Sequence, residues 1–443
     1  MWGRYATRFD MKTSVKPLRL AIAGLGTVGA TVARHILTNG NAFAAKVGRA
    51  CEVVAVSARR KGKDRGIDLS HVQWFDDPVI MARDADADVF VELIGGSEGA
   101  AKKAVETALL RGLHVITANK ALLAAHGSAL ATLAEKEGVA LKFEAAAAGG
   151  IPVIKALREA MAGNDISRVS GIMNGTCNYI LTRMEAEGLS FAECLKAAQE
   201  LGYAEADPTF DVEGYDTAHK LALLTSLAFG TEVDADSIYV EGISNVALLD
   251  LKMADELGFR IKLLGVAERT AAGIEQRVHP TMVPKSAQLA QVMGVLNAVS
   301  IKGDMVGELT FVGPGAGGGA TTSAVLADIA DVARGETLPV FGRDAAGLEK
   351  PIKAPMQRHE GGYYVRLNAV DKRGVFAAIA GTMSDHGISL ESIIQKGSPK
   401  QRTVPVVLIT HATTEHLIRA AVAAIAEKGV LDGPPQVIRI ERA

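Results

Sequence analysis

The chain has 443 residues, enough for about three domains of ordinary size, and 48% of them are apolar. Its 48 basic and 50 acidic side chains leave a formal charge of -2, which excludes the strong basic footprint of a nucleic-acid binder and a polybasic membrane patch and points to small polar metabolites as partners. Cys51, Cys177 and Cys194 form no CxxC pair and are odd in number, which argues against a disulfide framework or a zinc site and fits a reducing, cytoplasmic setting.

The first residues, MWGRYATRFD, are charged and lack an apolar signal-peptide core, so residues 1–17 read as a poorly ordered leader, with Met11 as an alternative start. No run approaches the roughly 18 consecutive apolar residues that span a bilayer. From residue 18 the apolar run LRLAIAG passes through Gly24, Gly26, Thr27, Val28 and Gly29 into the helical stretch TVGATVARHILTNG. A lone GxGxxG is weak evidence, but strand, glycine turn and helix in this order predict that a dinucleotide pyrophosphate meets the free N–H groups of the helix start. Further strands read as CEVVAVS, DVFVELIG, HVITA and VALKFEAA, with helices around 98–111 and 121–137. Their alternation predicts an α/β, Rossmann-like doubly wound domain over 18–151.

An NAD site would place an acid at the end of the second strand, to bond the ribose 2′-hydroxyl. This chain has Arg59, Arg60 and Lys61 there, which favours NADP(H) over NAD(H), a solvated basic loop being the alternative. Gly95 and Ser97, and Lys120 at the end of Thr117-Ala118-Asn119-Lys120, fall beyond the carboxyl ends of their strands, where the ligand crevice lies. A cation at a helix start opposes the helix dipole, so Lys120 is placed for function more than for stability.

Gly149-Gly150 mark a hinge, and Pro152 suits a first helical turn. Residues 152–312 mix strands (ISRVSGIM, FRIKLLGVAE, VMGVLNAVSIKG) with helices around 176–187 and 190–201, an α+β substrate and dimerisation domain. Asn174-Gly175-Thr176 leads into a helix whose N–H groups suit a substrate carboxylate, with an ordinary threonine cap as the alternative. The densest chemistry lies in AQELGYAEADPTFDVEGYDTAHK, residues 198–220, with six carboxylates and one lysine on a turn-rich connection. Asp216 opens a helix and Lys220 lies four positions on, on the same side. An isolated pair at that spacing is usually a surface pair worth about 0.3 to 0.5 kcal/mol. The apolar run after Lys220 instead predicts a buried helix, in which a charged lysine needs partners.

The pattern A-x-x-x-G-Y-A-E-x-D-P-x-x-D-x-x-G-x-D-x-x-x-K resembles the signature of homoserine dehydrogenases, matched by Ala198, Gly202, Tyr203, Ala204, Glu205, Asp207, Pro208, Asp211, Gly214, Asp216 and Lys220. The similarity runs from about residue 18 to the C-terminus. It implies reversible, NADP-dependent reduction of L-aspartate semialdehyde to L-homoserine, a step towards threonine, methionine and isoleucine. In that reading Lys220 faces the reacting carbonyl, Asp216 orients it, Lys120 is the second active-site lysine, and Asp211 supports the site. Glu205 would hold the substrate ammonium, with Gly202, Gly175, Thr176 and Asp216 around the substrate. The resemblance also implies a sodium ion held largely by main-chain oxygens at Glu144, Ala147, Gly149 and Ile151. It further implies that the glycine-rich turn from Gly313, through Gly317, returns to the nucleotide domain and touches the cofactor, completing that domain over about 313–350. Close packing of glycine on a neighbouring helix would explain the same residues without a ligand.

The tail, 361–443, reads as strand, helix, strand, strand, helix, strand. This βαββαβ order resembles an ACT domain, a regulatory module, with Gly374, Asp385, His386 and Gly387 at its ligand loops. An amino-acid effector follows from that resemblance, threonine by the family's role, in a homodimer or homotetramer; a purely dimerising unit is the alternative. Two other functions fit parts of the pattern. A phosphorylating semialdehyde dehydrogenase would use Cys177 as a thiolate, and a non-catalytic amino-acid sensor would leave both lysines unexplained.

Overall fold

The computed structural model of the chain describes residues 16–395 and 402–441, so most of the expected leader, including Met11, lies outside the described residues. Six parallel strands form the first sheet: β1 (Leu18–Ala23), β2 (Cys51–Ser57), β3 (Gln73–Phe75), β4 (Val89–Glu92), β5 (His114–Thr117) and β6 (Leu141–Lys142), in the order β3-β2-β1-β4-β5-β6. Helices α1 (Thr27–Val47), α2 (Pro78–Asp84), α3 (Ala100–Leu110) and α4 (Lys120–Lys136) make the crossovers. The strand period of two divides β1 between two cores: Leu18, Leu20 and Ile22 pack with α1, whereas Ala21 and Ala23 face α2 and α3. The strand expected over VALKFEAA shortens to two residues. Beyond it the Glu144 N–H donates to Asp328 rather than to a neighbouring strand, and the chain turns through Glu144–Ala147 as one helical turn.

The second sheet has eleven strands. Those before the tail are β7 (Ile166–Ile172), β8 (Tyr239–Val240), β9 (Phe259–Thr270), β10 (Gly273–Pro284), β11 (Leu296–Gly303) and β12 (Gly307–Pro314). Between them lie α5 (Gly175–Glu187), α6 (Phe191–Glu200), α7 (Tyr215–Phe229) and α8 (Leu248–Glu256), and α9 (Gly318–Arg334) follows. Strands β10 and β12 and helix α8 are additional to the elements that the sequence predicts. The β10 segment GIEQRVHPTMVP carries Glu275, Gln276, Arg277 and His279 in its buried stretch, so its pattern is not that of an apolar strand.

Helix α9 packs on α1, and its Ala324, Val325 and Ile329 share a core with Leu20 and Ile22 of the first sheet. The tail contributes β13 (Glu360–Val370), α10 (Val375–Asp385), β14 (Leu390–Gln395), β15 (Thr403–Thr410), β16 (Thr413–Thr414), α11 (Glu415–Glu427) and β17 (Gln436–Ile440). Its antiparallel order is β17-β13-β15-β14. It joins the preceding sheet through parallel pairing of β10 and β17, with Thr281 opposite Arg439 and Met282 opposite Ile440, which makes one continuous sheet. No helix of the described residues is long and apolar enough to cross a membrane.

Candidate active site

Helix α7 buries 13 of its 15 residues, and this brings Asp216 and Lys220 out of water together. The Lys220 ammonium donates to the Asp216 carboxylate at 2.7 Å and to the main-chain oxygen of Met173, also at 2.7 Å. The i, i+4 spacing brings the two side chains together, and the end of β7 supplies the carbonyl. The other Asp216 oxygen pairs with Lys120 at 3.1 Å. Lys120 is the first residue of α4, whose N-cap Asn119 accepts from the Leu122 N–H at 3.1 Å. Its ammonium also lies 5.9 Å from the centre of the Phe210 ring. The two lysines, one from each side of the crevice, thus share one carboxylate.

Asn174 completes the cluster. Its amide donates to Asp211 at 2.8 Å and to Asp216 at 2.9 Å, while its oxygen caps α5 by accepting the Cys177 N–H at 2.8 Å. Burial alone would push the Asp216 carboxyl up, but the charges of Lys220 and Lys120 outweigh it and hold Asp216 well below the usual carboxylate range. Asp211, by contrast, is raised by burial and by the Asp216 charge beside it. Asp216 is therefore a fixed anion.

Thr176 is not the cap expected as an alternative: its hydroxyl donates to the Tyr203 carbonyl at 2.6 Å. A Cβ added to Gly175 would stand 2.8 Å from the Val295 oxygen, so a side chain there would collide with neighbouring backbone. Glu205 is exposed. Its main-chain oxygen accepts from Gln199 at 3.0 Å, and no hydrogen bond or ion pair among the described residues ties its carboxylate to the lysines. Gly202, also exposed, turns the chain between α6 and this segment with φ 74°. Cys177 cannot serve as the thiolate of a phosphorylating dehydrogenase: it is fully buried, its thiol donates to the Asp211 carbonyl at 3.2 Å, and burial pushes its pKa well up.

The crevice continues into the glycine turn. Gly24 has φ 96° and lies against the Leu93 carbonyl, so a side chain there would strike backbone. Gly29 approaches the Gly24 carbonyl just as closely, and Gly26 precedes Thr27 and Val28 in the first turn of α1. The N-terminus of α9, after Gly317, meets that of α1: a Cβ at Gly318 would come within 2.8 Å of Thr27. Two helix starts therefore converge on one cradle suited to phosphate. Buried Glu92 accepts from the N–H groups of Ile94 at 2.7 Å and Gly95 at 2.9 Å and from Thr117 at 2.6 Å, which fixes the Gly95–Ser97 turn. Arg59, Arg60 and Lys61 are exposed beyond β2. Arg65, unmarked in the sequence reading, braces that loop by donating to Leu25, Lys63 and Arg60 oxygens at 3.2, 2.7 and 2.6 Å.

Gly374 caps the start of α10, Asp385 is its last residue, and His386 and Gly387 follow. An 11-residue helix is about 16 Å long, so one tail unit does not gather these residues around a single small ligand.

A dinucleotide cradle beside a charged, largely buried carboxylate–lysine cluster defines an NAD(P)-dependent oxidoreductase. The comparisons with known proteins give the family. Residues 24–144 match the homoserine dehydrogenase NAD-binding domain, residues 152–330 the homoserine dehydrogenase domain, and residues 363–429 the ACT domain. The chain is 45% identical to the homoserine dehydrogenase of Neisseria gonorrhoeae, with 96% of this chain and 99% of that protein aligned. The Pseudomonas aeruginosa enzyme is also 45% identical, over 97% of this chain and all of its own. Among solved structures, a homoserine dehydrogenase from Thiobacillus denitrificans superposes with a TM-score of 0.90 at 41% identity, covering 96% of this chain and 98% of that one. A hyperthermophilic archaeal homoserine dehydrogenase in complex with NADPH superposes with a TM-score of 0.61 at 26% identity, covering 71% of this chain and 97% of that one. The chain belongs to the homoserine dehydrogenase family, with an NAD(P)-binding domain and a C-terminal ACT domain, and its activity is that of a homoserine dehydrogenase.

Proposed function

We propose that the interconversion of L-homoserine and L-aspartate semialdehyde takes place beside Lys220, with Lys120 as second cation and NADP(H) as the preferred cofactor. The bound nicotinamide supplies or accepts the hydride. In the reductive direction negative charge grows on the aldehyde oxygen, and an ammonium held nearby stabilises that charge and delivers the proton. Lys220 spends two of its donors on Met173 and Asp216, which leaves one for the substrate oxygen. Asp216 fixes the direction of both lysines, and Asp211 with Asn174 fixes Asp216. The observation that carries this reading is the sharing of Asp216 by Lys120 and Lys220.

Gly175 and Thr176, at the start of α5, offer N–H groups to the substrate carboxylate, and Glu205 with Gly202 supplies the ammonium side once substrate draws that segment inward. Arg59, Arg60 and Lys61 face the adenosine 2′-phosphate. The NADPH-bound archaeal relative supports this choice of cofactor. Residues 18–151 with about 313–350 hold the dinucleotide, 152–312 the substrate, and 361–443 the effector.

For sodium, the fit is to main-chain donors. Both Glu144 side-chain oxygens are taken by the N–H groups of Ile154 and Lys155 at 3.0 Å, while residues 144–149 and Ile151 are buried and Gly149 turns with φ 57°. The carbonyls of Glu144, Ala147, Gly149 and Ile151 are the donors we assign to it. Because Gly374 and Asp385–Gly387 lie at opposite ends of α10, an amino-acid effector such as threonine would bind where tail units of two chains pair, in a homodimer or homotetramer.

The test follows NADPH formation from L-homoserine for the unaltered chain and Lys220→Ala, with and without threonine. Loss of roughly a hundredfold or more in kcat is expected for the variant. An unchanged rate rejects the assignment, and an absent threonine effect rejects the effector.

A further inference from the structure

The ACT unit is joined to the rest of the chain by charge as well as by strand pairing. Arg439 on β17 is 2% exposed and forms ion pairs with Glu241 and with Glu415, and its guanidinium lies 5.0 Å from the centre of the Tyr239 ring. Arg419 on α11 pairs with Glu241 too, and with Glu415 at 2.8 Å. Glu241 thus precedes the tail in sequence, yet beside the Tyr239 hydroxyl its side chain meets two arginines of the ACT unit.

Its backbone neighbours face the other way. The Glu241 N–H donates to Val278 on β10 at 2.8 Å, and the Ile243 N–H donates to the Val212 oxygen at 2.8 Å. Ser244 bonds Glu213. Gly242 lies so close to the 212–213 backbone that an added Cβ would stand 2.5 Å from the Val212 oxygen. Gly214, the N-cap of α7 with φ 89°, is seated between Val240 and Val278, where a Cβ would be 3.1 and 3.0 Å from their methyl groups. The backbone held by this segment, Val212 to Gly214, is the link between Asp211 and Asp216.

We propose that Glu241 is a positioning residue for the dehydrogenase reaction: clamped by Arg439 and Arg419, it holds the Tyr239–Ser244 segment against Val212–Gly214 and so sets where Asp211 and Asp216 stand. The ACT unit is then a structural support of the catalytic carboxylates. The inference rests on the role proposed for Asp216.

The full chain carries the test, as Glu241→Gln, Gly242→Ala and Asp216→Asn, with kcat, the KM for NADP, and amide exchange over the first turn of α7 as readouts. Glu241→Gln and Gly242→Ala are expected to lower kcat about tenfold with the KM for NADP changed less than about twofold, because the cofactor cradle is built elsewhere. Exchange over residues 215–219 should quicken in both. Unaltered kcat and exchange in Glu241→Gln overturn the proposal. Should that variant fail to fold, Gly242→Ala decides: unaltered kcat and exchange there would show that the Tyr239–Ser244 segment does not set the two carboxylates, and would overturn the proposal. An active Asp216→Asn brings down the underlying site assignment instead, whereas an inactive one beside an unaffected Glu241→Gln brings down this inference alone.

Discussion

Lys120, at the head of a helix in the nucleotide-binding domain, reaches across the crevice to pair with Asp216 of the substrate domain at 3.1 Å. The contact explains why a cation occupies a helix start, where the dipole disfavours it. It also gives the two lysines different surroundings: the Lys120 side chain is 33% exposed and that of Lys220 10%. Lys120 is therefore the more accessible of the two cations in the proposed site. Lys120→Ala is expected to lower kcat/KM for homoserine roughly a hundredfold while the chain remains folded, because a third of the side chain already faces water. Steady-state kinetics with matched circular dichroism check this; a loss of less than about threefold removes Lys120 from the site.

Asp216 links pH to stability. Its folded-state pKa is depressed, so its contribution is fully present above the unfolded carboxylate value of about 3.9 and is lost as pH falls below that value towards the folded one. Asp216→Asn removes the anion and leaves Lys120 and Lys220 uncompensated, at an expected cost of about 3 to 5 kcal/mol near neutrality. Denaturant titrations at a series of pH values should show the gap between the unaltered chain and Asp216→Asn closing as pH drops below about 4. A gap that stays constant through that range contradicts the depressed value.

Much of this site was legible because its chemistry is local. Asp216 and Lys220 are four residues apart on one helix, and the glycine turn is contiguous, so spacing brings the members of each together, while the roles assigned to them come from the family signature. What spacing does not reveal is the tie between segments. Asn174 lies 37 and 42 residues from the carboxylates it bridges, and Met173 contributes only a carbonyl, which no side chain announces. The mixed sheet was harder to read for a related reason. Strand β10 carries buried polar residues because Arg277 is matched by Glu275, two positions back on the same strand, and by Glu441 of the tail, and a pairing that distant in sequence leaves no apolar pattern. Glu205 is the opposite case: its motif position implies a contact with substrate, yet its side chain is exposed and tied to neither lysine.

The cofactor preference proposed above rests on the loop after β2. Arg59, Arg60 and Lys61 are exposed on a turn that Arg65 ties to Leu25 of the glycine turn. Arg59→Ser with Arg60→Ser is expected to lower kcat/KM with NADP on the order of tenfold to a hundredfold and to leave NAD nearly unchanged, since only the 2′-phosphate loses partners. The ratio of the two specificity constants is the measurement. Equal losses with both cofactors would mean that the loop is a brace rather than a phosphate site.

Lys262 tests the packing beneath the proposed substrate site. It is 1% exposed on β9, and its ammonium donates to Asn178 at 3.0 Å and to the Val292 carbonyl at 2.6 Å. Asn178 in turn holds the Val292 and Leu296 oxygens, so the pair ties α5 to the 292–296 loop, which packs under Gly175. Burial pushes the Lys262 pKa down to about 8, and the more distant Glu185 only partly opposes this. A lysine whose folded value lies below its unfolded value binds fewer protons folded than unfolded in between, so stability rises with pH from about 8 to about 10.4. Lys262→Met should lose that rise, a difference of up to about 3 kcal/mol across the window for a shift of this size. The comparison is the change in unfolding free energy between pH 8 and pH 10 in the two chains, which cancels the other lysines. Parallel slopes would show that the buried ammonium titrates like a solvated one.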